Sequence, residues 1–101
     1  TLLSGSLTPT IGVQFTNNSG ATITSITVNY TGEQWRLGTA NREDRLDFQY
    51  STNATALNNG VYTDVNQLDF IAPVTVVPLG ALDGNALANK KDIVAVEIAQ
   101  V

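Results

Sequence analysis

The chain has 101 residues, 43% of them apolar and only 14% charged, with nine acidic against five basic side chains and a net charge of −4. That balance excludes a phosphate-neutralising surface for nucleic acid and disfavours contact with an anionic membrane. The absence of His, Cys and Met removes the commonest general base, all thiol and disulfide chemistry, and zinc ligation.

Polarity comes instead from 13 Thr and 10 Asn. Threonine suits a pleated, half-exposed surface and asparagine suits turns. The length suits one domain, 1–101, and a chain of this size can bury roughly 60–70% of its unfolded surface. No apolar run reaches the ~20 residues of a membrane-crossing helix, and no signal peptide is visible. The chain opens at Thr1 rather than Met, which predicts a processed or excised piece with any export signal upstream.

In chain order, residues 1–9 read as an extended arm, with Leu2, Leu3 and Leu7 set among small residues. Ile11, Val13 and Phe15 then alternate with Gly12, Gln14 and Thr16, which predicts a half-buried strand. Residues 17–20 read as a hairpin loop leading to a second strand on Ile26, Val28 and Tyr30. The run Arg42-Glu43-Asp44-Arg45 reads as a solvated loop. Leu46, Phe48 and Tyr50 predict a strand with all three on one face, and Asn58-Asn59-Gly60 a turn. A strand is expected at 61–65, then a bend and a short strand at 68–70. Pro73 and Pro78 bracket 74–77, which predicts an edge strand. Asp83-Gly84-Asn85 is a third turn, residues 86–91 allow one helical turn, and Val94, Val96 and Ile98 predict a last strand. Six or seven short strands without intervening helices predict an all-β, antiparallel β-sandwich, jelly-roll or Ig-like, with a closed barrel as runner-up.

The only Trp lies in Gly32-Glu33-Gln34-Trp35-Arg36. One reading buries Trp35 in the core. The other makes it a stacking platform for a sugar, with Glu33, Gln34 and Arg36 bonding hydroxyls. Simple alternation puts Tyr30 and Trp35 on opposite faces unless Gly32 marks a bulge. Glu33, Glu43, Asp44 and Asp47 are the candidate acid–base groups, but nothing fixes the separation a carboxylate pair needs, so no catalytic residue is assigned and no enzyme is expected. No cofactor is expected. Asp83 and Asn85 are the candidates for a calcium ion, although the spacing of a calcium loop is absent and a plain turn fits as well. Asn17, Asn29 and Asn53 open Asn-x-Ser/Thr sequons and are candidate glycosylation sites.

In combination, Gly32 to Arg36, the strand Leu46-Asp47-Phe48-Gln49-Tyr50, the segment Tyr62 to Val65 leading to Leu68-Asp69-Phe70, Gly80 to Ala86 and Ala88 to Lys90 resemble a β-sandwich accessory module of secreted and cell-surface bacterial proteins. Such modules lie beside lamin-tail, nuclease-like and surface-sorting domains. The resemblance implies an extracellular, non-catalytic part and supplies no ligand. Family members continue beyond the equivalent of 93–101 with further strands. Here the chain is truncated, does without them, or takes a strand from another chain, and Leu2, Leu3 and Leu7 of the arm are candidates for the donated strand. The expectation is a structural or adhesive module, a self-assembling surface-fibre subunit whose partners are other copies or neighbouring domains. The alternative is a carbohydrate-binding module built on Trp35.

Overall fold

The computed structural model describes residues 9–99. Among the described residues eight strands form, all paired antiparallel, with two single 3₁₀ turns at Asn66–Leu68 and Leu87–Asn89. The fold is therefore all-β, and its sheets each have two strands. The long pair is β1 (Ser25–Glu33) with β8 (Lys90–Ala99). Inside it lie β2 (Arg36–Leu37) with β7 (Gly80–Ala81), then β3 (Arg45–Leu46) with β6 (Phe70–Ile71), then β4 (Gln49–Tyr50) with β5 (Thr63–Asp64). Each pair encloses the next. The chain from 25 to 99 is one long hairpin whose tip is the loop 51–62.

The inner half of this hairpin packs against the outer ladder. Leu68, Phe70, Ala72, Ile93 and Ile98 form the buried cluster, and Val28, Tyr30, Phe48, Tyr50, Val65 and Val96 pack against it. Tyr30 and Phe48 stack with ring centroids 6.5 Å apart, a contact worth about 1 kcal/mol beyond its buried area. The Tyr30 hydroxyl donates to the Leu68 carbonyl. Phe70 lies over Gly32, where any Cβ would collide with its ring. This close approach, and not a bulge, is the reason for glycine at 32.

The bulge is on the other strand. Val28 pairs with Val96 but Tyr30 pairs with Ile93, so Asn29 faces both Val94 and Ala95. Ala95 sits in the left-handed region at φ 55, and the Asn29 Oδ1 accepts its N–H at 2.6 Å. The extra residue reverses the alternation of β8. Ile98 and Val96 face the core, and Ile93 joins them, while Val94 is 68% exposed. The expected inward set of Val94, Val96 and Ile98 is corrected accordingly.

Other strand expectations are also corrected. The run 46–50 is broken between β3 and β4, because the Phe48 N–H donates to the Asp69 carboxylate at 2.7 Å instead of a ladder carbonyl. Leu46, the ladder partner of Phe70, is 61% exposed. Strand β5 covers only Thr63–Asp64, and Leu68 lies in the 3₁₀ turn. No strand forms at 74–77. There the Val74 N–H and carbonyl are both taken by the Gln34 side chain, and the Thr75 carbonyl accepts from Asn41 N–H at 2.7 Å. The 17–20 turn exists but joins no hairpin. Asn17 organises it, its Oδ1 accepting from Ser19 N–H at 3.0 Å and its Nδ2 donating to the Ala21 carbonyl at 2.7 Å.

The expected first strand is unpaired among the described residues. Ile11, Val13 and Phe15 are 88%, 75% and 85% exposed. The segment passes the hairpin tip instead, with Gly12 lying against Leu57. Leu2, Leu3 and Leu7 lie outside the described residues.

Two measurements test this architecture. A non-glycine residue in the left-handed region costs about 1–2 kcal/mol, partly offset by the chain entropy of glycine. Ala95→Gly should therefore raise stability by about 0.5 kcal/mol in urea unfolding, and Ala95→Val should lower it by about 1 kcal/mol or more. The second concerns pH. Burial, with a smaller contribution from the Asp69 charge, raises the Tyr30 hydroxyl above its ordinary 10.0. The folded state thus holds this proton more tightly than the unfolded chain. Its stabilisation is complete below pH 10 and is lost as pH rises through the raised value. Tyr30→Phe should flatten the fall in melting temperature between pH 9 and pH 11.

Candidate functional site

Residues 30–35 keep strict alternation. Tyr30, Gly32 and Gln34 face inward, and Glu33 and Trp35 face outward. Trp35 is 52% exposed, so it does not fill the core. Its backbone is fixed by the Leu82 N–H, which donates to the Trp35 carbonyl at 2.9 Å. Its indole rests on the turn at Gly84, where a Cβ would strike the ring. Its Nε1 donates to Glu33 Oε1 at 3.2 Å. The ring is thus held on one side and open on the other.

Beside it lies a shallow groove of about 250 Å³. Phe70 and Ala72 form the floor, Leu46 and Trp35 the apolar walls, and Glu33, Asp44 and Arg45 the polar rim. Arg36 does not line this groove. It is the β2 partner of Ala81, beyond the indole. Gln34 borders the groove but its amide is committed elsewhere. Its Oε1 accepts from Val74 N–H at 2.9 Å, and its Nε2 donates to the carbonyls of Val74 at 3.0 Å and Arg36 at 3.3 Å. Of the side chains expected beside Trp35, Glu33 and Gln34 line the groove, the Gln34 amide being bonded within the chain, and Arg45 lines it where Arg36 does not.

The charged run 42–45 is more organised than a solvated loop. Arg42 bonds Asp44 at 2.7 Å. Arg45 bonds Asp47 at 2.7 Å, Glu43 at 3.0 Å and Asp69 at 3.0 Å. The Asp69 side chain is only 6% exposed, and it also takes the Phe48 N–H. Arg45 therefore ties the groove rim to the point where β3 and β4 separate. Hydrogen bonding to Asp47, then its charge, then Glu43 hold the Arg45 guanidinium above its ordinary pKa, and Asp44 does the same for Arg42. Glu33, Glu43, Asp44 and Asp47, the candidate acid–base groups, are each bonded to the indole or to an arginine.

The Asp83-Gly84-Asn85 segment is a turn whose centre seats the indole. Asp83 Oδ1 accepts from Asn85 N–H at 3.0 Å, and its carbonyl accepts from Ala86 N–H at 3.0 Å and Asn89 Nδ2 at 2.9 Å. Among the described residues no group of three or more acidic, His or Cys side chains is placed to hold a metal ion. The sequon asparagines each serve local structure. Asn17 holds its turn, Asn29 caps the bulge, and Asn53 accepts the Val61 N–H at 2.9 Å in the hairpin tip. No helix among the described residues is long and apolar enough to cross a membrane.

Set beside known protein families, curated proteins and solved structures, the chain matches none. Gln34 is a buried polar residue and gives a direct test. Gln34→Ala leaves both backbone groups of Val74 without partners and should cost about 2 kcal/mol in urea unfolding, read as a lower midpoint with an unchanged slope.

Proposed function

We propose that this chain is a non-catalytic structural and adhesive module of an extracellular, cell-surface protein, completed by strands from outside its own hairpin. The observation that carries the reading is the segment 11–15. It alternates in strand period, shows its apolar side chains to solvent and has no ladder partner among the described residues. An uncovered apolar strand is a template for pairing with another chain. Strand β1 has β8 on one edge and no described strand on the other, and β8 is placed likewise.

In this reading the two thin layers, β1–β8 and the inner ladders facing it, become a β-sandwich when strands add at their edges. A long hairpin folded over on itself has the strand order of a jelly roll. The partner is a second copy of the chain, as in a surface fibre, or an adjoining domain of the same surface protein. Low charge and many Thr and Asn side chains suit an extracellular surface, and the motif resemblance to secreted bacterial modules points the same way.

Sedimentation velocity tests self-completion. The chain should associate at micromolar concentration. Val13→Lys combined with Phe15→Lys should remain monomeric with an unchanged β circular-dichroism spectrum, since neither side chain contributes to the core. A wild-type chain that stays monomeric and folded at all concentrations overturns self-completion.

A further inference from the structure

We infer that the groove beside Trp35 is a binding site for a neutral saccharide, which stands independently of strand completion. Three features converge on that ligand class. The first is the indole. It is half-exposed, yet Gly84 beneath it and Glu33 at its N–H hold it still, so little side-chain freedom is lost when a ring stacks on it. A pyranose offers an apolar C–H face to such a surface and keeps its hydroxyls at the rim.

The second is the acceptor set. Glu33 Oε1 takes the indole N–H, and Oε2, which has no hydrogen-bond partner among the described residues, can accept from a sugar hydroxyl. A hydroxyl bonded to a carboxylate makes a stronger contact than one bonded to a neutral group. Leu46, 61% exposed, lines the same groove as the indole and adds a second apolar side chain to it.

The third is charge. Arg45 is the rim cation, and Glu43, Asp47 and Asp69 surround it. Asp44 is paired with Arg42. Adding Glu33, the rim is neutral to acidic, within a chain of net charge −4. A phosphate, sulfate or uronate would have to displace the carboxylates of Arg45 and approach Glu33, which disfavours anionic ligands. Neutral hexose and N-acetylhexosamine units fit; acidic sugars do not.

Trp35 is the only Trp, so its fluorescence reports this groove alone. The test titrates the chain with cello-, malto-, manno-, galacto- and chito-oligosaccharides, and with oligogalacturonate, followed by Trp emission and by calorimetry. The expected result is a saturable emission change with at least one neutral series and affinity about tenfold weaker or worse for the uronate. Trp35→Ala, read by calorimetry, should lose binding about tenfold or more. Leu46→Lys, at an exposed position outside the core cluster, should do so with a melting temperature close to wild type, which separates loss of the site from loss of the fold. No binding by any neutral series, stronger binding of the uronate, or full binding by Leu46→Lys overturns the inference.

Discussion

The bulge that sets Asn29 against Val94 and Ala95 controls the rest of the molecule. β1 alternates without interruption, so its inward side is Val28, Tyr30 and Gly32. β8 matches that side only by adding a residue, which brings Ile93 and Ile98 to the same face. The resulting strip is the surface on which Phe70 and Leu68 settle. Gly32 lets the Phe70 ring approach the backbone, and the Tyr30 hydroxyl fixes the turn that carries Leu68. Without the inserted residue, Val94 would turn inward and Ile93 outward. The core would then lose its register along half the ladder. Asn29 holds this arrangement by bonding the N–H that the bulge removes from the ladder.

Much of this was legible in residue order and some was not. The period-two runs on Ile26, Val28 and Tyr30 and on Val94, Val96 and Ile98 announced parts of the two long strands, and the Gly and Asn clusters announced turns. The residues 86–91 gave the single helical turn that was expected. The reversal within β8 was hidden, because Lys90 to Ala99 reads as a plain alternating strand and only its partner shows the extra residue. The pairing of distant strands was hidden too, since nested partners up to 74 positions apart, as in Ser25 and Ala99, leave no local mark. At 74–77 the β-branched residues suggested a strand, but a side-chain amide from Gln34 had already claimed the backbone. A propensity describes what a segment favours alone, and tertiary contacts decide what it does.

The candidate site divides in the same way. Alternation from Tyr30 alone places Glu33 and Trp35 on the outer face, and the structure follows that simple count. Residue type does not show that Gln34 is a buried brace or that Arg36 pairs with Ala81 rather than lining the groove. Arg45 and Leu46 come to the groove from a different strand pair, 10 and 11 positions beyond Trp35, so proximity in sequence could not reveal them. The Asp83-Gly84-Asn85 turn is another case. Its residues suggested a plain turn before an ion site; it is a turn, and the glycine at its centre lies against the indole.

The concentric pairing has a consequence for how the domain bears load. Ser25 and Ala99 face each other at one end of the outer ladder. A pull through the backbone at these two positions draws β1 and β8 apart sideways, along the direction of their inter-strand hydrogen bonds. The bonds are then loaded one pair after another, from Ser25–Ala99 inward, and each fails nearly alone. A ladder pulled lengthwise would share the force among all its bonds at once. Tension applied here would peel the hairpin open toward its tip at 51–62, making the fold extensible along that direction rather than stiff.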